Sequence, residues 1–271
     1  MSQRNSDGKR SAREALQEQR AQEQARAKRK RTLVVAGGVV GVLAVAAVIG
    51  VVVADHNDNR GDAIGSPAAA PSGATGKDSL VIPVGAADAP STLTIYEDFR
   101  CPACDAFEKQ FTPTIHALED SGQLRTEYHL ATLIDGNLGG TGSLNAANAA
   151  ACAQDAGKFR AYHDVLYDNQ PDEQDDKFAD KNTLITLAGK VPGLKTAPFA
   201  DCVNDGTHDS WVQKSNAAFG SSGFNATPTV LLNGKSIYGQ NAQLTPASLK
   251  QMVSAANKGK QPGKVTAAPP S

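Results

Sequence analysis

Glu97-Asp98-Phe99-Arg100-Cys101-Pro102-Ala103-Cys104 is the stretch from which the rest of this chain is read. Ahead of it, Thr92-Leu93-Thr94-Ile95-Tyr96 is rich in β-branched and aromatic residues; behind it, Phe107 and Phe111 recur at helical spacing. Cys101 therefore falls at a strand-to-helix junction. A helix start leaves backbone N–H groups without intrahelical partners and carries the positive end of the macrodipole, so a sulfur held there ionises more easily. Pro102 fits the first helical turn, where its missing donor costs nothing. With Pro102 and Ala103 between them, Cys104 lies one turn along and can attack a mixed disulfide on Cys101. Cys101 reads as the exposed nucleophile and Cys104 as the buried resolving thiol.

C-x-x-C is also half of a zinc knuckle, and zinc needs four ligands. Cys152 and Cys202 stand alone in sequence, and no two of His56, His116, His129, His163 and His208 are at ligand spacing. No metal is expected. A plain structural disulfide between Cys101 and Cys104 is the alternative to redox chemistry.

Far downstream, Gly223-Phe224-Asn225-Ala226-Thr227-Pro228-Thr229-Val230-Leu231-Leu232-Asn233-Gly234 joins a Thr-Pro-Thr to a short apolar strand and an Asn-Gly turn. Asn-Gly between Leu231-Leu232 and Ser236-Ile237-Tyr238 predicts a two-residue type I′ hairpin. The two segments together resemble the thioredoxin superfamily, and more closely its DsbA-like branch. Tyr96 to Cys104 is similar to that branch's active-site signature, and Thr227-Pro228 to its cis-proline loop. The resemblance covers roughly residues 79–256 and implies an α/β thioredoxin-like fold with a helical insertion. It also implies that Pro228 is cis and that the backbone of Thr227 faces Cys101, pairing with an extended substrate segment. A strand-entry proline without a catalytic part is the alternative.

Two departures from the family pattern stand out. The carboxylate that thioredoxin-type enzymes often bury six residues before the first cysteine is replaced here by Ile95. Glu97 and Asp98 stand closer to Cys101, on opposite faces of the strand by period-two alternation. Each is a candidate proton relay through water; a solvated acid at a strand end is the alternative. The second departure is Ala103, where strongly oxidising DsbA enzymes carry histidine. One cation or donor fewer predicts a less stabilised thiolate and a less oxidising potential.

Charge is unevenly distributed along the 271 residues. Residues 1–31 carry ten Lys/Arg against four Asp/Glu, a net of plus six, and the remaining 240 carry seventeen against twenty-four. Thr32 to Ala54 is a run of 23 uncharged residues rich in Val, Ala, Gly and Leu. At about 1.5 Å per residue that crosses a bilayer core of about 30 Å. Lys28-Arg29-Lys30-Arg31 abuts its start, so the expectation is one transmembrane helix over 32–54, a cytoplasmic basic tail over 1–31 and an extracytoplasmic remainder. A cleaved signal peptide has a shorter apolar core and a shorter basic region, which favours an uncleaved anchor. The tail lacks an apolar stripe and reads as solvated or membrane-surface, with nothing that points to nucleic acid.

Residues 55–78, rich in Gly, Pro, Ala and Ser, read as a flexible linker, and 79–258 as the DsbA-like domain. Leu80-Val81-Ile82-Pro83 is expected as an edge strand, Leu93 to Tyr96 as a central one, and Leu124 to Leu130 as a half-buried strand by its alternation. Helical patterns fill the insertion, about 131–222: Ser143 to Ala156, Phe159 to Tyr167, Asn182 to Ala188, Pro198 to Asn204 and His208 to Phe219. His163 and His208 fall on these helices with packing or surface as their reading. In an oxidising compartment four cysteines allow three pairings. With Cys101 and Cys104 as the redox pair, Cys152–Cys202 becomes the structural bond, and two separate buried thiols are the alternative. Thr245-Pro246 opens a closing helix through Leu249, Met252, Val253 and Ala256. Residues 259–271 read as a disordered tail.

The resulting expectation is a membrane-anchored thiol–disulfide oxidoreductase exchanging disulfides with secreted or membrane proteins, without a cofactor. The oxidase direction is favoured, though the sequence does not choose it. The resemblance implies a quinone-linked membrane reoxidant for an oxidase, or a membrane thiol transporter for a reductase. The second reading is a non-catalytic binding module or holdase whose C-x-x-C is a permanent staple.

Overall fold

Strand β2 (Thr92–Glu97) is the axis of the sheet, as its β-branched run predicts. It pairs parallel with β3 (Arg125–Leu130) and antiparallel with β4 (Thr229–Leu232). The short strands β1 (Ile82–Gly85) and β5 (Lys235–Ser236) close the two edges, giving the order β1-β3-β2-β4-β5. This computed structural model describes residues 69–239 and 244–265. The expected basic tail 1–31 and apolar span 32–54 lie outside the described residues, among which no helix is long and apolar enough to cross a membrane.

The parallel β2–β3 pair requires a crossover, and α1 (Pro102–Asp120) supplies it. Its buried stripe runs Cys104, Phe107, Phe111, Ile115 and Leu118, with two carboxylates, Glu108 and Glu119, set into the same face. The alternation in β3 holds: Thr126, Tyr128 and Leu130 are buried while Arg125, Glu127 and His129 are half-exposed. Pro83 sits in edge strand β1, where a missing donor is tolerated. Asn233 and Gly234 both take positive φ, 50° and 79°, and join β4 to β5 as the Asn-Gly pair predicts.

Between β3 and β4 lies the helical insertion: α2 (Leu133–Leu138), α3 (Gly142–Asp155), α4 (Phe159–Asp168), α5 (Lys181–Leu187), α6 (Ala197–Asp205) and α7 (Asp209–Ser221). Helix α3 is its hub, touching all five others. Ala146, Ala147, Ala149, Ala150, Ala151 and Ala153 are all buried, so it is enclosed on every side by close neighbours. Helix α4 packs on both α1 and α3, and so joins the insertion to the sheet layer. The final helix, α8 (Pro246–Ala256), opens with a capping box between Thr245 and Ser248 and buries Leu249 and Val253, packing on α1.

Three expectations are corrected. The linker read over 55–78 is not free along its second half. Ser72 N–H donates to Asp155 Oδ1 at 2.6 Å, Gln154 Nε2 donates to Ser72 O at 2.8 Å, and Thr75 bridges Val81. Side-chain and backbone hydrogen bonds hold this strap, which a composition poor in large apolar residues does not reveal. The tail over 259–271 is likewise fastened up to Val265: Gly263 N–H donates to Gly122 O and Lys264 N–H to Asp88 Oδ1, each at 2.8 Å. Helix α2 was not expected, because Gly136 and Asn137 are poor helix formers.

Candidate redox site

Cys101 occupies the N-cap of α1, in extended backbone (φ −78°, ψ 117°), with Pro102 at the first helical position. Its N–H donates to Asp98 O at 2.9 Å, and its carbonyl accepts from the N–H groups of Cys104 and Asp105 at 3.0 and 3.1 Å. The side chain of Gln170, just past α4, donates to the carbonyls of Phe99 (2.9 Å) and Cys101 (3.1 Å). The active-site loop is thereby tied to the insertion. Ala103 is exposed beside the pair.

Cys101 and Cys104 are thiols in this structure. Cys104 is fully enclosed, as expected; Cys101 is more sheltered than an exposed nucleophile, at 7 % exposure. The shelter is the Thr227 loop. The Thr227–Pro228 peptide is cis, and the Cys101 thiol donates to Thr227 O at 3.3 Å. These positions, 126 residues apart in sequence, therefore form one surface.

A hydrogen bond from Cys104 is the largest influence on Cys101, bringing its thiol down from 9.0 to about 6. Burial opposes this, while the Thr227 side chain and the backbone N–H groups of Cys104 and Ala103 add to it. The Thr227 hydroxyl has no other partner among the described residues, so it is free to donate to the thiolate. Burial, followed by its hydrogen bond to Cys101, pushes Cys104 well above the ordinary thiol value. One sulfur is thus a thiolate at neutral pH and its neighbour a thiol.

The two acidic candidates part company. Neither is solvated: Glu97 and Asp98 are both fully buried. Asp98 Oδ1 accepts from Arg100 N–H and Oδ2 from Ile134 N–H, each at 2.8 Å. Burial raises its carboxyl to about 6 against those bonds. Both of its oxygens hold the loop and the start of α2, which gives it a structural place in the fold. Glu97 shares the core face of β2 with Leu93 and Ile95. Its Oε1 lies 2.9 Å from His163 Nε2 on α4, and its Oε2 has no partner among the described residues. A buried carboxylate thus reaches the core from position 97, where the family's usual position is Ile95.

His163, read as packing or surface, is fully enclosed. Burial alone would depress it, but Glu97, Asp164 and Glu108 raise it well above its ordinary value, which makes the Glu97–His163 contact a buried ion pair. Arg100 was not singled out. Its guanidinium is almost fully buried and reaches Asp135 (2.6 Å), Asp176 (3.0 Å) and the carbonyls of Gly139 and Glu173. Glu97, Glu108 and His163 bring donor atoms within 4.8 Å of one another, and within that group Glu97 Oε1 and His163 Nε2 pair with each other at 2.9 Å. The group formed by Cys152, Cys202 and His208 is likewise engaged, since Cys152 and Cys202 form the expected disulfide.

Residues 77–255 match the family described as Thioredoxin. The reduced form of the disulfide oxidoreductase DsbG from Mycobacterium tuberculosis superposes with a TM-score of 0.56 at 30 % identity, over 65 % of this chain and 86 % of that one. The chain belongs to the DsbA-like branch of the thioredoxin superfamily. Reduced DsbA from Mycobacterium tuberculosis gives a TM-score of 0.57 at 29 % identity, over 68 % of this chain and 95 % of that one. Disulfide bond formation protein D of Bacillus subtilis is 27 % identical over 157 residues, 57 % of this chain and 68 % of the relative. This DsbA-like chain is a thiol–disulfide oxidoreductase, and the paired sulfurs against the Thr227 loop are the arrangement such chemistry requires.

Proposed function

We propose that this chain is a membrane-anchored oxidase of the cell exterior that introduces disulfides into secreted or membrane proteins through Cys101 and Cys104. The reading rests on one observation: the Cys101 sulfur lies against the Thr227 carbonyl while Cys104 is sealed one helical turn behind it. A substrate thiolate attacks Cys101 Sγ of the oxidised pair. The Cys101–Cys104 bond breaks, a substrate–Cys101 bond forms, and Cys104 leaves with the electron pair and takes up a proton. A second substrate thiolate then attacks the substrate sulfur, closing the substrate disulfide and expelling Cys101 as thiolate. A thiolate with a pKa of about 6 is a good leaving group at neutral pH, which favours handing the disulfide on. The backbone of Thr227 supplies the strand edge against which an extended substrate pairs.

Location is supported by Lys28-Arg29-Lys30-Arg31 abutting the apolar run 32–54, and by the Cys152–Cys202 bond, which suits an oxidising compartment. The partner that reoxidises the pair is then a quinone-linked membrane protein; for a reductase it would be a thiol transporter. The oxidised full-length chain should form the disulfide of a dithiol peptide faster than the reduced chain cleaves insulin, and Cys101→Ser should abolish both. Faster insulin cleavage would reverse the direction. Binding without exchange would return the chain to the holdase reading. In cells, trapping by a membrane-impermeant thiol reagent should label the pair after reduction; protection of both cysteines would place the domain inside.

A further inference from the structure

Phe99, Arg100 and Cys101 are all gripped from one short segment of the insertion, residues 170–176. Gln170 follows α4 directly: its N–H donates to Tyr167 O at 3.2 Å, closing the last turn, and Pro171 comes next. The helix therefore aims its side chain. The Gln170 amide donates to Phe99 O at 2.9 Å and to Cys101 O at 3.1 Å, on either side of Arg100. Arg100, between them, reaches the same segment at the Glu173 carbonyl (3.2 Å) and the Asp176 carboxylate (3.0 Å). Asp176 is itself fixed by the N–H groups of Thr141 and Gly142, each at 3.0 Å. The segment thus forms a wall behind the redox loop.

The two bonds from Gln170 do different things. Phe99 O receives no backbone N–H among the described residues, so the amide satisfies a carbonyl that would otherwise need water. Cys101 O already accepts from the N–H groups of Cys104 and Asp105. A third donor on that oxygen is not needed to satisfy it. Its effect is geometric: one amide ties the peptide plane that enters Arg100 to the plane that leaves Cys101. The torsions that aim the Cys101 sulfur, its φ of −78° and ψ of 117°, lie between those two planes.

We infer that Gln170 is a positioning residue for disulfide exchange: by bracing these two planes it keeps the Cys101 sulfur over the open N–H groups at the start of α1. The inference rests on the reading of Cys101 and Cys104 as the exchanging pair. The N–H groups of Ala103 and Cys104 are among the donors that hold the Cys101 thiolate, and they act only while the sulfur faces them. Without the brace, the N-cap residue can turn within its broad extended region, and the thiolate spends part of its time away from those donors. A carboxylate at position 170 goes further. It can only accept, so it faces two carbonyl oxygens with no hydrogen to share and pushes the loop away. The bonds of the Gln170 amide are to backbone carbonyls, so it acts through the loop and not on the sulfur directly.

Alkylation of Cys101 by iodoacetamide in the reduced full-length chain follows the thiolate population, so the midpoint of its pH profile reads the thiolate and its plateau reads access to the sulfur. Asp98 titrates in the same range, raised to about 6 by burial, so thiolate absorbance, to which a carboxyl adds nothing, is recorded alongside. In the unaltered chain the midpoint should fall near pH 6. Gln170→Ala should move it up by about half a unit, an about threefold loss of rate at pH 5, with the plateau kept within about twofold. Gln170→Glu should move it by about one unit, an about tenfold loss at pH 5. A glutamine that merely supports the fold would lower thermal stability on replacement and leave the midpoint in place. A midpoint unmoved in both variants, or a plateau that falls while the midpoint stays, would overturn the inference. Should the alanine variant not fold, the glutamate variant, which keeps the size of the side chain, decides alone. A Cys101 midpoint at the ordinary thiol value of about 8.5 in the unaltered chain would overturn the exchanging-pair reading itself.

Discussion

At position 103 a methyl group stands where a cation would bear on the Cys101 sulfur. The thiolate is held by the Cys104 thiol, the Thr227 side chain and two backbone N–H groups, and none of these carries a charge. That set brings Cys101 to about 6, above the value of about 3.5 reached by strongly oxidising DsbA. Ala103 is exposed, so a histidine there meets no packing cost. Ala103→His should lower the Cys101 pKa by about 1 unit and raise the potential of the pair by about 30 mV. Thiolate absorbance and equilibration with glutathione measure the two quantities; a lower pKa without a higher potential would show that the mixed disulfide, not the thiolate, sets the poise.

Among the elements, the disulfide between Cys152 on α3 and Cys202 on α6 fastens the hub of the insertion to its periphery. It closes a separation of 50 residues, worth about 4 kcal/mol in the entropic account. Replacing both cysteines with alanine should lower unfolding stability by about 3–4 kcal/mol in a denaturant titration. The insulin and peptide assays should keep their rates, because neither cysteine touches the redox pair. The strands and long helices were legible in sequence because their apolar spacing is regular, as in Leu124 to Leu130 and Phe107 to Leu118. The redox pair was legible because two sulfurs at that spacing have few other uses. The buried network behind them was not. Glu97 and Glu108 lie at positions where the periodicity calls for apolar residues, and a charged letter there reads as surface until its partner is known. Parity was the available signal for Glu97, since it falls in step with Leu93 and Ile95. His163 gave none, because its partner lies 66 residues away. Arg100 is similar: Asp135 and Asp176 meet it only once the insertion has folded.

For the molecule as a whole, these buried acids set the response to pH. Burial is the main cause that raises Glu108 to about 8 and Glu119 to about 7. A raised carboxyl contributes stability that is complete below its unfolded value of about 4.3 and is lost as pH rises through the folded value. The buried histidines His116 and His129, both lowered by burial, work in the opposite sense only below about 6.5. The oxidised protein should therefore lose thermal stability through this pair of carboxyls as pH rises from about 6.5 to 8, with their contribution levelling off above that, and Glu108→Gln should flatten the decline. Cys101, depressed to about 6 and titrating only in the reduced form, adds stability as pH rises from about 6 towards the unfolded thiol value of about 8.5. Unfolding of the reduced and oxidised forms should thus converge or diverge by about 2 kcal/mol between pH 6 and 8, in favour of the reduced form. A constant difference would place the Cys101 pKa near that of an ordinary thiol.

The fastening at the C-terminal end sets where this unit can be joined to something else. Gly122, at φ +69°, has no side chain, and a Cβ there would run into the backbone of Gly263. Two segments can therefore lie flush, with Gly263 and Lys264 satisfying the Gly122 carbonyl and the Asp88 carboxylate. A fusion partner or affinity tag spliced on after Asn257 would strip both acceptors of their donors, whereas one appended beyond Val265 would leave the seam closed.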